Sequence, residues 1–185
     1  MTMIAPVLII PGLYNSGPEH WQSLWCGKHP EYHRVEQKDW DTPRCADWVR
    51  AIHDAIGSIP DGPVVLAAHS LACATIAHYA AEHGDAQGRI AAAFLVAPTD
   101  VEAPSFPLGT TGFAPVPLRK LPFCSVVIAS SDDPYARLDR AELFARSWGS
   151  RFLHIGNAGH INTASGHGWW PEGEAWLEEL GRIRT

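Results

Sequence analysis

The sequence predicts an α/β fold: a three-layer sandwich in which a mostly parallel sheet of about six strands is covered by helices on both faces. Three observations predict it. Short apolar runs with no polar alternation recur at 6–10, 64–68, 90–97 and 125–129, the pattern of strands buried on both sides. Stretches with apolar residues at helical spacing fall between these runs. The chain has 185 residues, of which 46% are hydrophobic and 18% charged, enough for one sizeable core and unlike a disordered segment.

The elements follow in order. Pro6-Val7-Leu8-Ile9-Ile10 is a central strand ended by Pro11-Gly12, and Leu13 to Pro18 is a loop of turn residues. A helix begins near Glu19 or His20, with Trp21, Leu24 and Trp25 on one face, and stops at Gly27 or Pro30. A weaker strand, 32–36, leads through a loop to a helix over 46–56, where Ala46, Val49, Ile52, His53 and Ile56 share a face. Asp61-Gly62-Pro63 turns the chain into the strand 64–68, which passes through His69 and Ser70 into a helix over 71–83 closed by Gly84. The strand 90–97 is followed by 98–122, which holds six prolines and two glycines without a clear period. That is longer than the roughly 15 residues an ordinary connection reaches, and it reads as an irregular excursion over the sheet's edge with one short helix. A strand at 125–129, a helix at 138–148, a strand at 151–155 and a terminal helix at 172–183 complete a single domain spanning 1–185.

Ligands of such sheets sit beyond the carboxyl ends of the strands. Those ends carry Gly12 to Asn15, His69-Ser70, Thr99-Asp100, Asp132-Asp133, and Asn157 with His160. Ala68-His69-Ser70-Leu71-Ala72 is a strand-turn-helix junction of the nucleophile-elbow type, with alanines where the G-x-S-x-G pattern has glycines. The order Ser, Asp, His is the triad order of an α/β-hydrolase. Serine needs a base to take its proton, and the base needs a carboxylate to hold its other nitrogen. The reading assigns Ser70 as nucleophile, His160 as base and Asp133 as orienting acid, with Asp132 the alternative acid and His167 the alternative base. The backbone N–H groups of Leu71 and Leu13 are the expected oxyanion donors, with Tyr14 next to them. Ser70 also fits a plain helix N-cap. His69 reads as a structural donor, because neighbours on an elbow point apart. Tyr14, Trp21, Phe106, Phe113, Tyr135, Trp169 and Trp170 are the aromatic residues that suggest an apolar acyl pocket.

Four stretches besides the elbow carry a resemblance: Ile9-Ile10-Pro11-Gly12, Gly17-Pro18-Glu19-His20-Trp21, Ser131-Asp132-Asp133-Pro134-Tyr135 and Ala158-Gly159-His160-Ile161-Asn162. In this order they resemble the small, capless serine hydrolases of the retinoblastoma-binding-protein and YdeN-like type. The resemblance implies an α/β-hydrolase fold without a large cap, a Ser70, Asp133, His160 triad and esterase-like activity on small acyl substrates. The pocket-protein-binding motif L-x-C-x-E is not matched: Leu71-Ala72-Cys73-Ala74-Thr75 lacks the glutamate.

The expected function is therefore hydrolysis of small carboxylic esters or amides through an acyl-enzyme. Two other functions suit the same fold: a non-catalytic binding or regulatory protein, suggested by the non-glycine elbow, and an acyltransferase or perhydrolase using the same triad. No cofactor is expected, and the histidines show no H-E-x-x-H or other metal-ligand spacing. A formal net charge of −6 without a basic stripe argues against nucleic acid as a partner. No apolar run nears the ~20 residues that span a bilayer, so no membrane partner is expected. The start, Met1 to Pro6, has no basic segment of a signal peptide. Cys26, Cys45, Cys73 and Cys124 are widely spaced, as free thiols of a cytoplasmic protein would be.

Overall fold

The computed structural model describes residues 5–60, 62–85 and 88–182. The N-terminal tetrapeptide Met1 to Ile4, the turn residue Asp61 and the expected last residue of the terminal helix, Ile183, lie outside the described residues. The elements run β1 (Val7–Ile10), α1 (Trp21–Lys28), β2 (Tyr32–Arg34), α2 (Cys45–Ser58), β3 (Val64–His69), α3 (Leu71–His83), β4 (Ile90–Val96), β5 (Cys124–Ala129), α4 (Leu138–Trp148), β6 (Arg151–His154), a 3₁₀ turn (Thr163–Ser165) and α5 (Pro171–Leu180).

All strands are parallel and the sheet order is β2-β1-β3-β4-β5-β6. The chain steps one way from β1 to β2, then returns past β1 to β3 and continues outward. Crossovers keep one hand, so reversing direction moves the connecting helix to the opposite face. Accordingly α1 packs on one face, through Trp21 and Trp25 with α5's Leu177. The other face carries α2, α3 and α4 through residues such as Ile52, Ile76 and Phe144. The point of reversal lies between β1 and β3, which is where an open α/β sheet leaves a crevice at its carboxyl edge.

β3 is buried along its whole length, and α3 buries Leu71, Ala72, Cys73, Ala74 and Ala77 close to the sheet. Small side chains permit that approach. The helix end at α5 differs from expectation: Gly181 caps it after Leu180, with its N–H donated to Leu177 and Glu179 carbonyls.

The 98–122 excursion is also placed differently from the expected path. It contains no helix, and it crosses the outside of the α2-α3-α4 layer. Trp148 Nε1 donates to Pro117 O at 2.9 Å, His78 Nε2 to Phe113 O at 2.8 Å, and the Cys45 amide to Thr111 O at 2.8 Å. Phe113, Val116 and Leu121 are buried against those helices. With prolines removing N–H donors, the segment cannot sustain its own ladder of hydrogen bonds, and side chains and amides of neighbouring elements satisfy its carbonyls.

Candidate active site

The serine sits at the crevice. Ser70 has φ 58° and ψ −124°, a backbone conformation that a non-glycine residue holds only under constraint. Its N–H donates to Val96 O at 2.9 Å and its carbonyl accepts the Cys73 N–H at 3.0 Å, fixing the turn from both ends. Although it occupies the N-cap position of α3, its side chain makes no capping hydrogen bond. The positive φ falls on Ser70 alone and not on Ala68 or Ala72. Glycine's conformational freedom is therefore not needed at either flank, and both alanines are fully buried.

Glycine is needed one strand away. A Cβ on Gly12 would fall 2.8 Å from both His69 O and Ser70 Cβ, and 3.3 Å from Leu71 N. This close approach brings the loop after β1 alongside the first amide of α3. The N–H groups of Leu13 and Leu71 donate to no protein acceptor among the described residues, while that of Tyr14 is taken by Trp40 O at 2.9 Å. Two unpaired amides thus lie next to the serine, and the adjacent Tyr14 amide is occupied.

The Ser70 hydroxyl faces His160, with Nε2 to Oγ at 2.9 Å. On its other side His160 Nδ1 lies 2.9 Å and 3.0 Å from the two carboxylate oxygens of Asp133. Serine, histidine and carboxylate are all nearly closed off from solvent, the Asp133 side chain being only 4% exposed. Asp133 Oδ1 also accepts the Tyr135 N–H at 2.8 Å, which orients the carboxylate.

Asp132, the alternative acid, does something else. Its Oδ1 accepts the Gly159 N–H and the Ser130 hydroxyl, each at 2.8 Å, and these bonds hold its carboxyl below the usual range. It ties the β5 loop to the β6 loop just before His160. His167, the alternative base, lies away from the serine: its Nδ1 meets Ser165 Oγ at 3.2 Å and its ring stands edge-on to Trp170.

Three further residues support the histidine and the crevice. His69 Nε2 donates to the His160 carbonyl at 2.9 Å, and burial holds its pKa well below the ordinary histidine value, so it serves as a neutral donor. Trp21 Nε1 donates to Ile161 O at 3.0 Å, pinning the turn after His160. Gln22 is fully buried, and its amide nitrogen bridges Ile10 O at 3.0 Å and Ala67 O at 3.1 Å, tying the ends of β1 and β3 together. Gln22 belongs to no motif; its one mark in the sequence is a glutamine on the buried face of α1 between Trp21 and Trp25.

Over Ser70 and His160 lies a cleft of about 250 Å³, whose walls include Leu13, Tyr14, Phe106, Pro107 and Tyr135. Of the aromatic residues expected at the mouth, Tyr14, Phe106 and Tyr135 line it. Trp21, Phe113 and Trp170 are core, and Trp169 is exposed away from it. None of the four cysteines is in a disulfide. Among the described residues no helix is long and apolar enough to cross a membrane.

A parallel sheet with a strained serine at its crossover reversal, and with carboxylate and histidine loops after its last two strands, defines the α/β-hydrolase class. More narrowly, the chain belongs to the serine hydrolase family, whose model matches residues 7–179. A YdeN-like hydrolase of Pectobacterium atrosepticum is 30% identical, with a TM-score of 0.82 covering 96% of this chain and 90% of that one. The ydeN product of Bacillus subtilis is 18% identical, with a TM-score of 0.69 over 95% of this chain and 98% of that one. The carboxylesterase CesB of Bacillus subtilis, at 15% identity, shares the fold with a TM-score of 0.65 over 97% of this chain and 85% of that one. No curated protein matches the sequence.

Proposed function

We propose that this serine hydrolase cleaves small carboxylic esters, with Ser70 as nucleophile, His160 as general base and acid, and Asp133 as the orienting carboxylate. The observation that carries the reading is the 2.9 Å contact of Ser70 Oγ with His160 Nε2, backed by Asp133 on Nδ1. In the first half-reaction Ser70 Oγ attacks the ester carbonyl carbon while its proton passes to His160 Nε2. The carbonyl oxygen becomes an oxyanion that accepts the Leu13 and Leu71 N–H groups. The bond to the alcohol oxygen breaks as His160 returns the proton to it, leaving an acyl group on Ser70. Water then repeats the sequence: His160 takes its proton, the acyl carbon is attacked, and Ser70 recovers its hydroxyl as the carboxylic acid departs. Amides are cleaved by the same steps with an amine leaving.

The cleft's size and its Leu13, Phe106, Pro107 and Tyr135 walls suit a short acyl chain. A CesB-like carboxylesterase activity is supported by the common fold alone. The unpaired cysteines support a reducing, cytoplasmic setting.

The experiment is fluorophosphonate labelling of wild type and Ser70→Ala, alongside p-nitrophenyl acetate hydrolysis. Wild type is expected to label and turn over, and the variant to do neither. Labelling that persists in Ser70→Ala sinks the assignment. A wild type that neither labels nor hydrolyses leaves a binding protein on a hydrolase fold.

A further inference from the structure

His20 lies at the N-terminus of α1, 5% exposed, and it lines the cleft that contains Ser70 and His160. The backbone N–H of Gln22 meets its Nδ1 at 3.2 Å. A backbone amide can only donate, so Nδ1 must be the bare, accepting nitrogen. Burial, with Arg34, His160 and His167 adding to it, lowers the pKa to about 3, so the ring is neutral and its single proton is on Nε2. That Nε2–H has no hydrogen-bond partner among the described residues. It keeps some contact with solvent and is not sealed in the interior. The ring is held in place by His69, 4.8 Å away, and Trp21, 5.3 Å away.

Two asparagines of the same cleft repeat the pattern. Asn15 Oδ1 accepts the Ser16 N–H at 2.8 Å and an Arg34 Nη2–H at 2.5 Å, and Asn162 Oδ1 accepts the Ser165 N–H at 3.2 Å. In each case the acceptor is turned back onto the chain and the amide N–H groups are left over. The cleft thus joins an apolar wall to spare neutral donors on His20, Asn15 and Asn162, alongside the Tyr14, Thr99 and Tyr135 hydroxyls, which can donate or accept.

From this arrangement, and resting on the esterase reading above, we infer that His20 Nε2–H is a substrate-binding donor and that the preferred esters carry a second acceptor oxygen close to the scissile bond. A purely hydrocarbon ester leaves this nearly buried donor unpaired once the cleft is filled. An ester with an ether or carbonyl oxygen there satisfies it. Leaving a polar group unpaired in a filled site is the strongest discrimination a small site can make.

The test uses pairs of esters that differ by one oxygen in place of a methylene: methoxyacetate against butyrate in the acyl part, and 2-methoxyethyl against butyl in the alcohol. Each variant is scored by the ratio of kcat/KM within a pair, so that intrinsic reactivity cancels between proteins. His20→Asn retains an acceptor where Nδ1 was, and so the α1 cap, but has nothing at the Nε2 position. His20→Gln places an amide N–H near the Nε2 position and loses the cap. Relative to wild type, the oxygen preference in one pair is expected to fall at least tenfold in His20→Asn and to be largely kept in His20→Gln, although the latter melts lower. Unchanged ratios in His20→Asn for both pairs overturn the inference. A purely structural role for His20 predicts the reverse order, with His20→Gln the more impaired. Binding is read separately in Ser70→Ala by the Nε2–H proton resonance of His20. Titration with an oxygen-bearing ester should shift it and the matched hydrocarbon ester should not, whether or not wild type turns over. Equal responses to both esters also overturn the inference. Failure of the esterase reading itself appears elsewhere, as wild type that hydrolyses no member of either pair.

Discussion

Asp132 Oδ1 accepts the backbone N–H of Gly159 at 2.8 Å, so the acid next to Asp133 grips the loop that delivers His160. The neighbouring carboxylates divide the work: Asp133 contacts the imidazole and Asp132 contacts the chain before it. The two substitutions should therefore separate. Asp133→Asn leaves the packing intact but offers His160 Nδ1 the wrong partner, and kcat should fall by about four orders of magnitude with Tm nearly unchanged. Asp132→Ala removes the acceptor of the Gly159 N–H, loosens the loop and should lower kcat about 10- to 100-fold, as misplacement by a fraction of an ångström to an ångström does. Steady-state kinetics with thermal melts decide it, and equal losses in the two variants would contradict the division.

The strain at Ser70 should be measurable as stability. Its φ of 58° costs a non-glycine residue on the order of 1–3 kcal/mol. Ser70→Gly and Ser70→Ala both remove the hydroxyl proposed as nucleophile, but only glycine relaxes the backbone. Urea unfolding should show Ser70→Gly more stable than Ser70→Ala by about 1 kcal/mol or more. A less stable glycine variant would mean the turn is not strained.

The alanine-flanked elbow should lose nothing by lacking glycines. Ala68 and Ala72 are fully buried with no positive φ. Ala68→Gly and Ala72→Gly are expected to destabilise by roughly 1 kcal/mol each, through chain entropy and lost packing, without raising kcat. A faster Ala72→Gly enzyme would show that the elbow is compromised by its flanks.

Gly12 has no room for a side chain beside the elbow. In Gly12→Ala the new Cβ meets backbone and Cβ atoms at 2.8 Å, not a movable side-chain tip, so β1 and the elbow must part. Overpacking of this kind costs about 1–3 kcal/mol, and it would also shift Leu13 relative to Leu71. Tm and kcat should fall together, with fluorophosphonate labelling slowed at least tenfold. Normal labelling in a folded Gly12→Ala protein would separate the loop after β1 from the proposed oxyanion role.

Acid should destabilise the fold through His20. Its folded pKa of about 3 lies below the ordinary 6.5, chiefly from burial, so as pH falls the unfolded chain takes up the proton first. The stability is fully present above about 6.5 and is lost progressively down towards 3, with a slope of up to about 1.4 kcal/mol per pH unit from this group. His69, also lowered by burial, acts in the same direction. Unfolding measured at pH 7, 5.5 and 4.5 should show a shallower slope for His20→Asn than for wild type, and parallel slopes would rule the group out.

Much of this architecture was readable from residue order. Unbroken apolar runs such as Val64 to Ala68 mark strands buried on both faces, because only an interior strand can dispense with polar alternation. Once strands alternate with helices, Ser70, Asp133 and His160 must all arrive at one edge of the sheet. The path of 98–122 was not readable, because prolines erase periodicity and its carbonyls are satisfied by residues such as Trp148 and His78 from distant elements. The division of the aromatic residues was equally hidden, since Trp21 in the core and Tyr14 in the cleft carry no local mark of which way they face.

The sequence by itself determined the parallel sheet and the polar residues at its carboxyl edge, because burial pattern and chain order are local properties. Only the tertiary structure decided which of Asp132 and Asp133 meets the histidine, that Gly12 and not an elbow glycine permits the close approach to Ser70, and that His20, a residue lining the cleft, has an N–H without a partner among the described residues. Those outcomes depend on differences of one or two ångströms between segments far apart in the chain, set by how the sheet and its helices pack.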